Sequence, residues 1–145
     1  MSREIKFRAW SIKKRKYIDI DTLYCANGKV CGIVCNGIVY DVDDVILEQD
    51  TGIEDKNGKR ICEGDICKLA YYTKGKTHKH WHKKYEDIEK VDFEYGFFLF
   101  STPERDGISS GISFYDYGES SDKDGSYKYE AEVIGNIHEN EELLK

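Results

Sequence analysis

The sequence predicts an all-β protein, and three observations carry that prediction. Asn-Gly pairs stand at Asn27-Gly28, Asn36-Gly37 and Asn57-Gly58, each between segments rich in Val, Ile, Tyr or Cys. A two-residue type I′ turn needs positive φ at both central residues, so Asn-Gly between apolar stretches marks a β-hairpin. Alternating residues recur in "IKFRAW", "GDICKLAYY" and "YKYEAEVIGNI", the period of two that a half-buried strand requires. No long segment keeps a helical apolar period, and no internal repeat of fixed length is present.

Each element has its own justification. "IKFRAWSIKKRKYIDI" (5–20) predicts a hairpin with Ile5, Phe7 and Ala9 on one face and a polar tip at 13–16. "TLYCANGKVCGIVCNGIVYDV" (22–42) predicts a three-stranded meander that turns at the first two Asn-Gly pairs. "DVDDVILEQD" (41–50) fits either a continued strand or a single helical turn before Thr51. "GDICKLAYY" (64–72) and "EKVDFEYGFFLF" (89–100) are expected strands. In the second, Val91, Phe93 and Tyr95 alternate with Asp92 and Glu94, and Gly96 shifts the phase as a bulge would. The Ser, Gly and Asp of 101–126 predict a mobile hairpin loop around one strand in "ISFYDY" (112–117). "YKYEAEVIGNI" (127–137) is the last strand, and Asn140 before Glu141 and Glu142 predicts a capped C-terminal helical turn.

Composition narrows the class. A chain of 145 residues fits one domain, or one with an added arm, and is long enough to bury a core without metal or disulfides. With 39% hydrophobic and 34% charged residues it reads as a soluble globular protein whose surface is unusually charged. Aromatic content of 13% argues against disorder. No apolar run reaches the ~20 residues of a membrane span, and "MSREIKFRAW" lacks the apolar core of a signal peptide, so a cytoplasmic protein with no membrane partner is expected. Five cysteines (Cys25, Cys31, Cys35, Cys62, Cys67) are an odd number at spacings that avoid C-x2-C. Free thiols packed in strands are therefore expected, with no disulfide framework, no structural zinc and no cofactor.

Three motifs in order then identify a relationship. "KFRAW" (6–10), "TGIEDKNGKRICEGDICKL" (51–69) and "YEAEVIGNIHENEELL" (129–144) resemble the YopX-like family of phage and prophage proteins, and "VDFEYGFFLF" resembles that family's strand through a glycine. The resemblance implies an all-β fold: an N-terminal β-meander and hairpin arm over 1–50, then an SH3-like barrel over 51–145, forming one compact unit with a short C-terminal helical turn. It also implies an accessory protein working in the cytoplasm of a bacterial host. Many motif residues (Asp55, Asn57, Gly58, Gly64, Asp65, Gly135, Asn136) are turn formers, which argues for scaffold rather than chemistry.

Charge supplies the candidate site. Residues 1–16 hold seven Lys and Arg against one Glu, and 68–84 hold six Lys against no acid, whereas 92–145 hold thirteen acids against four bases. Within "GKTHKHWHKK" (75–84), lysines and His78, His80 and His82 surround Trp81. Along an extended strand His78 and His82 would lie roughly 13 Å apart, too far to share one ion, so metal binding is not expected. If the two basic stretches share a side, Lys13, Lys14, Arg15, Lys16, Lys74, Lys76, Lys79, Trp81, Lys83 and Lys84 form a basic patch for nucleic acid, with Trp81 and Tyr85 free to stack on bases; two unrelated solvated loops are the alternative. No nucleophile motif, phosphate loop or H-E-x-x-H is present, and the D-x-D-G of 122–125 lacks the further ligands of a calcium loop. The expected function is non-enzymatic binding, of nucleic acid or of a phage or host protein, or else structural self-assembly; a homo-oligomer is expected in each case.

Overall fold

The computed structural model describes residues 4–94, 96–101, 111–113 and 117–145, and the chain is all-β. It divides into two compact units, Met1–Gly52 and Ile53–Lys145.

In the first unit, Phe7–Ser11 (β1) and Lys16–Ile18 (β2) form the expected hairpin, and β1 also pairs antiparallel with Val45–Glu54 (β6). Thr22–Ala26 (β3), Lys29–Cys35 (β4) and Ile38–Asp41 (β5) form the meander. Both of its turns carry positive φ at two successive residues, Asn27 (51°) with Gly28 (76°) and Asn36 (49°) with Gly37 (75°), the type I′ signature. The ambiguous 41–50 stretch uses both options: a 3-10 turn at Val42–Asp44, capped by the Asp41 carboxylate accepting from Asp43 N, runs into β6. Ala9, Ile18, Ile33, Cys35 and Val45 form this unit's core. On the other face of β1, Arg8 of the "KFRAW" motif donates through Nε to the buried Glu48 (2.7 Å), and the Tyr17 hydroxyl donates to the same oxygen (2.9 Å).

The second unit contains the end of β6, which β7 (Arg60–Cys62) flanks, and a six-stranded antiparallel sheet. That sheet comprises Asp65–Gly75 (β8), His82–Glu94 (β9), Phe97–Ser101 (β10), Gly111–Ser113 (β11), Gly118–Ser121 (β12) and Gly125–Asn136 (β13), in the order β11-β10-β9-β8-β13-β12. Ile61, Cys67, Leu69, Val91, Phe100 and Ala131 form its core. The β8–β13 register shifts between Val133 and Gly135, a bulge beside the Gly135-Asn136 pair.

Three expectations need correction. The stretch 89–100 is two strands, not one with a bulge: Glu94 pairs with Phe97, and Gly96 at φ +86° occupies the tight turn between them. The apolar run on both sides of the glycine hid a hairpin in which each arm reaches the core separately. Asn57-Gly58 does not form a two-residue turn, since only Gly58 has positive φ. The Asp55 carboxylate organises a longer loop by accepting from Asn57 N and Lys59 N (both 2.9 Å). Asn140 does not cap the Glu141–Leu144 3-10 turn with its side chain; its amide oxygen accepts from Asn136 N at 3.2 Å instead. Of the loop and strand expected over 101–126, residues 102–110 and 114–116 lie outside the described residues, as does Tyr95 of the expected strand 89–100.

Candidate binding surface

The long strands β8, β9 and β13 define two faces of the second unit, and the register decides which side chains meet. β8 pairs with β13 (Tyr71 with Tyr129, Ala70 with Glu130, Lys68 with Glu132) and with β9 (Ala70 with Glu86, Tyr71 with Tyr85). Just beyond Tyr71, β9 carries one extra residue, so Tyr72 pairs with Lys83 and not Lys84. That bulge reverses the alternation, and Lys83 and Tyr85 consequently project to opposite faces.

One face is a checkerboard of cations, acids and rings. Lys83 pairs with Glu86 (2.6 Å), Lys128 with Glu130 (2.6 Å) and Lys56 with Glu132 (2.7 Å). The first pairing, through its hydrogen bond above all, pushes Lys83 above and Glu86 below their ordinary pKa values. Trp81 lies back on this face, with Lys74 Nζ at 4.6 Å and Lys128 Nζ at 4.9 Å from its ring centre. Lys128 also approaches Tyr72 at 5.2 Å. Within the basic run 68–84, Lys83 is thus paired with its neighbour Glu86, Lys68 stands opposite Glu132 in the ladder, and Lys74 is turned over Trp81.

The remaining predicted residues are distributed as follows. Residues 76–81 form the turn between β8 and β9, with Lys76 and Lys79 exposed, and Lys84 is exposed on β9. His78 N donates to Gly75 O (3.0 Å), and the His78 and His82 rings meet edge to face at 6.0 Å. Among the described residues no group of three or more His, Cys, Asp or Glu could hold a metal ion. Lys13, Lys14 and Arg15 occupy the β1–β2 turn of the first unit, and Lys16 opens β2. Lys14 Nζ donates to the Tyr40 hydroxyl at 2.6 Å, which raises its pKa, chiefly through that bond. The two basic stretches therefore belong to different units.

The opposite face holds a feature the sequence reading missed. Beyond the core positions Cys67, Leu69 and Ala131, the same side of the sheet carries Tyr71, Tyr85, Tyr127 and Tyr129. The Tyr71 ring stacks on Tyr85 (5.2 Å) and packs against Tyr129 (4.8 Å) and Tyr127 (6.3 Å), while Tyr85 remains 41% exposed. Burial first, then Tyr129, Tyr127 and Asp122, hold the Tyr71 hydroxyl above its ordinary pKa. Its only sequence signals were the Tyr127/Tyr129 alternation and the Tyr71-Tyr72 pair; the strand register that unites them is not local.

The motif residues Asp55, Asp65 and Asn136 prove to staple the backbone. The buried Asp55 carboxylate also accepts from Val133 N at 2.9 Å. Burial opposes its ionisation, but the N–H donors of Val133, Lys59 and Asn57 outweigh this and hold its pKa below the ordinary value. Asp65 accepts from Cys62 N (2.8 Å), and the Asn136 side chain accepts from His138 N (3.0 Å) and Glu139 N (3.1 Å). These motif residues close loops, as their turn chemistry implied. A different buried acid stands out: Glu89, opposite Cys67, is 4% exposed, and its Oε2 has no hydrogen-bond partner among the described residues. Burial, and secondarily Asp87, push its carboxyl up to about 7.

Comparison with known proteins bears on identity rather than chemistry. No curated protein matches the chain. The chain is similar to a crystal structure of protein EF1440 from Enterococcus faecalis, at 26% identity and a TM-score of 0.59, covering 99% of this chain and 100% of that one. The description "YopX protein" matches residues 6–145, which takes in all three sequence motifs and both units, and the chain belongs to that family.

Proposed function

We propose that this protein is a non-enzymatic binding module that recognises another protein through the tyrosine face of β8, β9 and β13. The observation that carries the reading is the convergence of Tyr71, Tyr85, Tyr127 and Tyr129 on one partly exposed sheet face. Tyrosines offer large contact area at low entropic cost and are enriched where proteins meet. Nucleic-acid binding at the 74–84 turn is the second reading. It is favoured by Lys76, Lys79 and Lys84, which are exposed and have no carboxylate partner among the described residues, and disfavoured by the Glu-paired lysines and the Lys-covered Trp81 beside them. Affinity capture from cells of the source organism, with and without nuclease, separates the two. A partner retained after nuclease treatment and lost with Tyr85→Glu is the expected result, whereas capture abolished by nuclease and by high salt would transfer the function to the lysines.

The same reading includes self-association. β5 is an edge strand of its three-stranded sheet, and Ile38 and Val39 on it are exposed, the arrangement that invites pairing with a second copy. Light scattering should give a mass above the 16.8 kDa of one chain, and Val39→Lys should return it to that value. A single-chain mass across the micromolar range would remove assembly from the proposal.

A further inference from the structure

At the far end of the tyrosine face the sheet carries an open pocket of about 210 Å³, lined chiefly by Tyr71, Thr73, Asp122, Asp124, Ser126 and Tyr127. Its volume is below the ~300 Å³ at which small-molecule sites begin, so it suits one side chain better than a cofactor. Its chemistry is one-sided. Asp122 Oδ1 accepts from Asp124 N (2.8 Å) and Gly125 N (3.1 Å), which fixes the β12–β13 turn and leaves the other carboxylate oxygen uncommitted. Among the described residues the Asp124 carboxylate has no side-chain hydrogen bond or ion pair, and Asp122 lies close enough to influence the Tyr71 hydroxyl. Lys74 contributes to the lining, but its ammonium is on the opposite face over Trp81. Among the described residues, no lysine or arginine therefore pairs with either carboxylate.

We propose that this pocket receives the guanidinium of an arginine presented by the partner protein, between the rings of Tyr71 and Tyr127 and the carboxylates of Asp122 and Asp124. A planar guanidinium stacks on aromatic rings while donating laterally to carboxylates, which a lysine ammonium does less well. Thr73 and Ser126 hydroxyls are present at the rim to accept further donors. Charge complementarity selects this occupant: two acids, aromatic faces and no internal cation favour a cationic ligand over an anionic or purely apolar one. The proposal rests on the tyrosine face being a protein-binding surface and specifies which residue that partner must supply.

The test uses N-acetyl-arginine methylamide as probe and follows the amide signals of the full-length protein by NMR. Saturable shifts confined to Thr73, Asp124, Gly125 and Ser126 are expected, with binding about tenfold weaker for the neutral isostere N-acetyl-citrulline methylamide. Asp124→Asn should weaken the arginine probe similarly while leaving the remaining spectrum in place, because the Asp124 carboxylate is exposed and makes no side-chain bond among the described residues. Equal shifts with citrulline, or shifts scattered over the surface, would overturn the site. The two levels fail separately: loss of the arginine response with Tyr85-dependent partner capture intact removes only the guanidinium site, whereas loss of both removes the protein-binding reading as well.

Discussion

Glu89 is the residue whose environment conflicts most with its chemistry. Strand alternation places it on the core side of β9, opposite Cys67, where its carboxyl is 4% exposed. Its pKa stands at about 7 against an ordinary 4.5. Between those values the folded state holds a proton that the unfolded chain has released, so folding is favoured at low pH. This stabilisation is complete below the unfolded pKa and is lost as pH rises through the folded one. Allowing for partial solvent screening, the loss is on the order of 1–3 kcal/mol. Urea titrations at pH 5 and pH 8 should show the wild type losing stability at the higher pH relative to Glu89→Gln, which carries no ionisable group there. The same pH dependence in both proteins would assign the effect to another group. Asp55 shows the opposite condition, a buried carboxylate whose three backbone donors keep it charged. Nothing in the residue type distinguishes the two; the difference lies in whether a loop wraps its amides around the acid.

At the scale of elements, legibility followed the range of the interactions involved. The β3–β4–β5 meander was readable because each Asn-Gly turn is a four-residue event whose φ requirement is written in the residues themselves. Gly37 tests that account cleanly, since at φ +75° a Cβ would meet nothing within 4 Å and only backbone strain would oppose it. Gly37→Ala should therefore cost about 1–2 kcal/mol in chemical denaturation while leaving the circular dichroism spectrum unchanged. A neutral substitution would mean that the turn is not held in this conformation. The β9–β10 hairpin was missed because Tyr95-Gly96 stands between two strand-like segments with no Asn or Asp at the turn to announce reversal. The faces of β8 and β9 were beyond sequence reading for a further reason. One extra residue at Lys84 reverses the alternation, so Tyr85, expected beside Trp81, stacks on Tyr71 across the sheet. The charge segregation along the chain was real in sequence, but strand pairing brought Glu132 of the acidic β13 opposite Lys68 and within reach of Lys56.

For the whole molecule, the question is whether two cores behave as one cooperative system. Ile33 is fully packed in the first unit, among Ala9, Ile18, Cys35 and Val45, and Leu69 in the second, among Ile61, Cys67, Val91, Phe100 and Ala131. β6 is the strand through which the chain passes from one unit to the other. Truncating either side chain to Ala removes buried methyl groups and leaves a cavity, at a cost of about 2–5 kcal/mol. Because the two clusters share no residue, each loss should be confined to its own unit wherever opening is sub-global. Native-state hydrogen exchange provides the readout. Ile33→Ala should accelerate the amides of β3, β4 and β5 while those of β8 and β13 keep their protection, and Leu69→Ala should do the reverse. Equal acceleration throughout the chain in either variant would show that the units unfold only together; the tyrosine face would then have no stability independent of the N-terminal meander.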